Sequence, residues 1–589
     1  MIQYSLGKYQ TQIDNQIQFL NRTEIIERFW TRDATLWKTE SAQQKLILNR
    51  LGWMDIAKDM LYKLDEIHNF ATLVRKDKFS HIVLMGMGGS SLCPDVLRAI
   101  FGIKKGYPKF YVLDSTDPEA VLNLKKKLNL KKSLFILSSK SGGTIEPNSQ
   151  FKYFWDQLVK VHKTKNVGDK FCAITDPNTK LEQLAFEKKF RKVFLNPPDI
   201  GGRYSALSYF GLIPAALMGI DIKSLLKDAE LMKKQCREIT DVKNNPAVYP
   251  GVILGELARL RIDKATFLIP GKLYPFGYWI EQLIAESTGK EGKGVIPIEG
   301  EEIEYPEIYG KDRVFISIRL KGESNKSFDK KLMALKKAGY PIINIVLNNP
   351  YNLGGEFYRW EIATAIMGAV LGINPFDQPN VQAAKDITDK LLIGFKETEK
   401  FNIEPPKFKS KAISVYYDDK MKYIMQKQLQ IFHGNKNKLE DVLMGFLSLA
   451  KANNYVVLLG YLAMTDSMEK QFKKIRKLVR QQLHIATISG FGPRYLHSIG
   501  QLYKGGPNTG LFIEITVGDK KDLKIPGEKY TFGQLKMAQA LGDFHALQSS
   551  DCRVIRIDLG KDYLKDYAIL EKALGLAINR SYGKLIEDD

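Results

Sequence analysis

Two periodicities divide this 589-residue chain. In its first seventy residues, FLNRTEIIERFWTRDATLW and SAQQKLILNRLGWMDIAKDMLYKLDEIHNFATLVRK carry apolar residues at three-to-four spacing, which predicts amphipathic helices wrapped on a larger body. From His81 the pattern changes to short aliphatic or β-branched runs separated by helical stretches: HIVLMGMGG (81–89), KFYVLDST (109–116), SLFILSSKSGG (133–143), KFCAITD (170–176) and KVFLN (192–196). Continuous apolar strands with helices between them predict a parallel sheet covered on both faces, with its ligand at the carboxyl ends of the strands.

The pattern then repeats. A second series begins near Ala265 with KATFLIPG, DRVFISIRL (312–320) and YPIINIVLNN (340–349), followed by a helix from Glu356 and the loop INPFDQPNVQAAK. ETEKFNIEPPKFKSK (397–411) is charged, holds Pro405 and Pro406, and reads as a linker. Beyond it lie NNYVVLLGYL (453–462), HIATISG (484–490), TGLFIEITV (509–517) and CRVIRIDLG (552–560). YTFGQLKMAQALG (530–542) faintly echoes YNLGGEFYRWEIATAIMG (351–368), which leaves a partial internal duplication open against coincidence. The expected fold class is α/β: a helical wrap over 1–65, doubly wound lobes over 66–240 and 241–400, and an additional C-terminal α/β unit over 401–589.

Composition narrows the classes. With 44% hydrophobic and 26% charged residues the chain is globular; no apolar run is long enough to cross a bilayer and the start lacks a signal core, so the expected compartment is the cytoplasm, with no membrane partner. Four cysteines, Cys93, Cys172, Cys236 and Cys552, lie far apart without a CxxC pair, and no HxH or His-carboxylate cluster is present, so neither a metal site nor any cofactor is expected. The net charge of +22 invites a nucleic-acid reading. The lysines of LKKKLNLKK (124–132) and EKQFKKIRKLVRQ (469–481), however, occupy the wet faces of helices without interleaved aromatics, so no nucleic-acid partner is expected.

Four segments carry candidate chemistry. GMGGSS (86–91) joins a strand to a helix, where glycines let backbone amides approach an anion. Its spacing is not GxGxxG, so a phosphate or sugar contact is favoured over a dinucleotide, for which Asp114 would be the acid. SSKSGGT (138–144) offers hydroxyls, a lysine and two glycines at a strand end; the plainer alternative is a polar turn with Glu146 and Pro147 opening a helix. GGRYS (201–205) and QLIAESTGKEGKG (282–294) add an arginine and a carboxylate, Glu286, beside Gly- and Lys-rich turns.

These segments and FDQPNVQAAK (376–385) occur in the order found in the glucose-6-phosphate isomerase family of sugar-isomerase (SIS) domain proteins, which the chain resembles over roughly 51–385. The lead-in FWTRDATLW and the tail GGPNTGLFIEIT with YTFGQLKMAQALGD look closer still to the isomerase half of fused transaldolase/glucose-6-phosphate isomerases, although no transaldolase half is present. The resemblance implies two SIS lobes and conversion of glucose 6-phosphate to fructose 6-phosphate through a cis-enediol. It makes Glu286 the base, Arg203 with the Gly202 amide the group that steadies the enediolate, and Lys385 an aid to ring opening. Gln282 would face the same pocket, Gln378 would touch phosphate or a hydroxyl, and Gly89, Ser90, Ser139, Lys140, Ser141 and Thr144 match substrate-binding positions.

The histidine departs from the family pattern. The family places it between the Glu286-like and FDQ-like motifs, yet no histidine lies between Lys163 and Phe432, and the only match, LHSIGQ with His497, follows Lys385. The family's histidine comes from a neighbouring subunit; here the C-terminal unit is expected to mimic that subunit and deliver His497 within one chain, so monomer and homodimer both stay open, as does a separate transaldolase partner. Two rivals remain: an isomerase that also takes mannose 6-phosphate, with Thr288 a candidate determinant, and a non-catalytic SIS module that binds a sugar phosphate and regulates a partner.

Overall fold

The computed structural model describes residues 2–585 apart from 324 and 412, with side chains to 581; residue 1 and the last positions of the unit expected over 401–589 lie outside the described residues. The chain opens not with a helix but with a strand, β1 (Ile2–Ser5), which joins the far edge of a sheet built mainly from residues 264–347. Four residues ahead of a helical pattern are too few to show strand alternation. Helices then occupy most of 10–76, as the spacing predicts.

Three sheets follow. The first holds β2 (His81–Met85), β3 (Lys109–Leu113), β4 (Ser133–Ser138), β5 (Phe171–Thr175) and β6 (Lys192–Leu195), all parallel, in the order β3-β2-β4-β5-β6. The second holds β7 (Lys264–Leu268), β8 (Ile296–Ile298), β9 (Arg313–Leu320) and β10 (Ile342–Leu347), ordered β8-β7-β9-β10 with β1 antiparallel at the end. In the third, β11 (Phe408–Lys409) and β12 (Ser414–Tyr416) form an antiparallel edge for β13 (Tyr455–Tyr461), β14 (Ala486–Phe491), β15 (Gly510–Thr516) and β16 (Arg553–Asp558), ordered β14-β13-β15-β16-β12-β11. In each sheet the second strand of the series flanks the first on one side and the third and fourth follow on the other, so one doubly wound plan occurs three times. Every residue of β4, β7, β13 and β15 is buried, as expected of central parallel strands covered on both faces.

The helices that matter to the site are α1 (Ile145–His162), α2 (Phe276–Thr288), α3 (Leu353–Leu371), α4 (Gln382–Thr398), α5 (Asp466–Leu483) and α6 (Phe532–Ser549). The two segments that echo each other in sequence are α3, which follows the fourth strand of its series, and α6, which lies between the third and fourth; they are not equivalent. The repetition lies in strand order instead.

The third unit is packed into the other two. Phe532, Leu535 and Ala538 of α6 share an apolar cluster with the first sheet and with Leu392 and Phe395 of α4. A Cβ on Gly542 would lie 2.3 Å from Thr388 Oγ1, so α6 and α4 touch almost backbone to backbone. The edge strands β8 and β14 meet through Ile296, Ile298, Ala486 and Ile488, and the Glu301 carboxylate accepts the backbone amide of Thr487 at 3.0 Å.

Candidate active site

All of α2 except Tyr278 and Glu281 is buried, and Gln282 and Glu286 lie one turn apart on one face. Glu286 Oε2 accepts from Gln378 Nε2 at 2.9 Å and from Gln282 Nε2 at 3.4 Å, with the Arg203 guanidinium 3.9 Å away. Burial pushes this carboxyl up to about 7, against the pull of Arg203 and His497. A base titrating near neutrality can both take and return a proton.

Arg203 ties three motifs together. From the turn at 202–204 its Nε donates to Ser287 Oγ at 2.6 Å, and its other arm donates to the carbonyls of Pro375 and Asp377 at 2.6 and 3.1 Å. Lys290, the lysine of ESTGK, pairs with Asp377 at 2.7 Å, and burial brings its amine down to about 7. The loops approach closely: a Cβ on Gly89 would sit 2.1 Å from Gly202 O, whereas one on Gly202 would meet nothing within 4 Å.

The displaced histidine arrives at the same place. Gly88, at φ +54°, lies so near His497 that a Cβ would come within 2.4 Å of its carbonyl oxygen, which also accepts Gln282 Nε2 at 2.7 Å. Arg494, three residues earlier, pairs with Asp114 at 3.0 Å and Asp95 at 3.4 Å on the first lobe. Asp114, the acid that a dinucleotide site would use, is thus paired with an arginine. His497 Nε2 meets Glu146 Oε1 at 2.8 Å. Burial alone would lift the Glu146 carboxyl, but His497 and Lys385 hold it below its usual range.

A cavity of about 220 Å³ opens here, lined among others by Ser141, Thr144, Glu146, Lys385, His497 and Gln539. Lys385 is exposed, on the first turn of α4. Ser139 and Thr144 share a hydroxyl hydrogen bond of 2.9 Å at the base of SSKSGGT, and Ser90 is buried in the GMGGSS turn. Lys140 is not among the cavity's lining residues; its ammonium is paired with Asp176 and donates to Pro198 O at 3.0 Å. The Thr288 hydroxyl is engaged by its own backbone surroundings, bonding the Ile284 and Val295 carbonyls at 2.9 and 3.2 Å and accepting the Val295 amide at 3.0 Å. Sequence reasoning took Glu146 as a helix opener and passed over Gln539, because their partners lie hundreds of positions away.

Comparison with known proteins gives an independent view. The phosphoglucose isomerase family matches residues 65–314. The chain is 31% identical over 418 residues to the glucose-6-phosphate isomerase of Carboxydothermus hydrogenoformans, covering 61% of this chain and 88% of that protein. It is 27% identical over 395 residues to a probable glucose-6-phosphate isomerase of Methanococcus maripaludis, covering 61% and 87%. The crystal structure of a hypothetical protein from Thermus thermophilus, at 24% identity, matches with a TM-score of 0.56 over 66% of this chain and 99% of that one, a likeness of fold.

Proposed function

The chain belongs to the phosphoglucose isomerase family, and on that premise we propose the route by which it interconverts glucose 6-phosphate and fructose 6-phosphate. Glu286 carries the proton between C2 and C1 of a cis-enediol. The observation that supports this most directly is its buried carboxylate, held by Gln378 and Gln282 beside Arg203 and pushed up to about 7. The Arg203 guanidinium and the Gly202 amide stabilise the charge that builds on the substrate oxygens. His497, paired with Glu146, and Lys385 line the adjoining cavity and handle the proton movements of ring opening. Ser139, Ser141 and Thr144, with the Gly89 and Ser90 loop, anchor the phosphate away from the reacting carbons.

His497 acts in cis in this reading. It is supported by the contacts of Gln282 and Gly88 with the His497 carbonyl and by the Arg494 clamp, all within one chain, so an active monomer in the cytoplasm is expected. The test is a coupled assay that starts from fructose 6-phosphate and reads glucose 6-phosphate through its dehydrogenase, with EDTA present. Purified wild-type chain should turn over and Glu286→Gln should not. Mixing Glu286→Gln with His497→Ala chains should restore nothing; recovered activity would mean that the histidine crosses between subunits.

A further inference from the structure

The Glu146 carboxylate has a second donor that comes from the far end of the chain. Gln539, on α6 and 3% exposed, gives a hydrogen bond from Nε2 to Glu146 Oε1 at 2.7 Å, the same oxygen that meets His497 Nε2. The amide is itself held, because its Oε1 accepts Thr116 Oγ1 at 2.7 Å. An ionised carboxylate only accepts, so the amide N–H faces Glu146 and the amide carbonyl is left facing the Thr116 hydroxyl. Both bonds fall on Oε1, while Oε2 is buried with no partner. Among the described residues, His497 and Gln539 are the two side chains that hydrogen-bond the carboxylate.

We propose that Gln539 is a positioning residue for the isomerisation: oriented by Thr116, it fixes the rotation of Glu146 and through it the ring plane of His497. With Glu146 ionised and accepting, the Nε2 of His497 carries the hydrogen of their bond. The C-terminal unit thus supplies the histidine and also the side chain that aims the histidine's partner, so docking of α6 and alignment of the ring are one event. The inference rests on the reading of His497 as part of the site and adds a residue of the 530–542 segment to which the sequence assigned no role.

The test uses the full chain. Gln539→Met keeps the volume and removes both hydrogen bonds; kcat should fall about 10- to 100-fold, as for a slightly misplaced catalytic group, with KM and inhibition by 6-phosphogluconate within about threefold of wild type. In a His497→Ala background the same change should cost less than about twofold, because the group it aims is gone. Thr116→Val should lower kcat about fivefold and Thr116→Ser should restore it, a pair that also serves if Gln539→Met folds poorly. A kcat for Gln539→Met within about twofold of wild type, or a loss equally large with and without His497, overturns the proposal. If instead Glu286→Gln keeps turnover, the mechanism itself falls, an outcome read separately from these.

Discussion

The second and third units share one strand order and reach into each other. In each, the helix after the first strand reaches the segment that follows the other's second strand: Gln282 of α2 donates to His497 O, and Arg476 and Arg480 of α5 donate to Glu299 O and Glu302 O. On one side of this reciprocal contact stand the buried Glu286 carboxylate and a histidine at a cavity. On the other, α5 shows Lys470, Lys473, Lys474 and Lys477 to solvent, while its two buried guanidiniums hold carbonyls and the Glu301 carboxylate. The plan is common to both and the site is not, so activity follows from the particular side chains on the scaffold.

If that asymmetry is right, substitutions on the two sides should separate activity from stability. The largest effect is expected for Glu286→Gln, a loss of about 1,000-fold in kcat with KM little changed. Turnover within threefold of wild type would break the comparison at its centre. His497→Ala should follow at about 100-fold. In wild-type protein kcat/KM should fall as pH drops through about 7, because Glu286 must be ionised to act as base, and the residual rate of Glu286→Gln should lack that limb.

The same carboxyl makes a prediction about stability. Its folded pKa lies above the 4.5 of the unfolded chain, so the unfolded state ionises first, and native stability falls as pH rises from about 4.5 through 7. Glu286→Gln removes a cost of up to about 3 kcal/mol at pH 8 and none below pH 4.5, and thermal unfolding at the two pH values would show it. Ser139→Ala with Thr144→Ala should raise KM about fivefold with a smaller loss of kcat. An unchanged KM would remove that loop from the substrate site. The smallest effect on rate is expected across the reciprocal contact: Arg476→Met should lower the melting temperature, since it strips the partners of a buried charge network, yet leave kcat of the folded enzyme within about twofold.

What the sequence makes legible follows from distance along the chain. Strands such as SLFILS and YVVLLGY announce themselves because burial on both faces leaves only apolar positions, whereas β8 spans three residues and β1 four, too few for any period to register. Glu286, Arg203 and Lys385 sit in local motifs, which is what the family resemblance picks out. Lys140 carried the right chemistry in the right motif, but its pairing with Asp176 depends on how β5 ends. The partners of Glu146 come from positions 497 and 539, and only the docked third unit brings them there.

The meeting of β8 with β14 also governs how the chain fares while it is being made. An open sheet edge is a template for pairing with other molecules, and β8 leaves the ribosome nearly two hundred residues before the strand that covers it. At ordinary elongation rates that edge stays bare for roughly 10 to 40 s. A nascent chain arrested between α4 and β11 would keep it bare indefinitely, so truncated products ending there should aggregate, and supplying the rest of the chain as a separate polypeptide should suppress it.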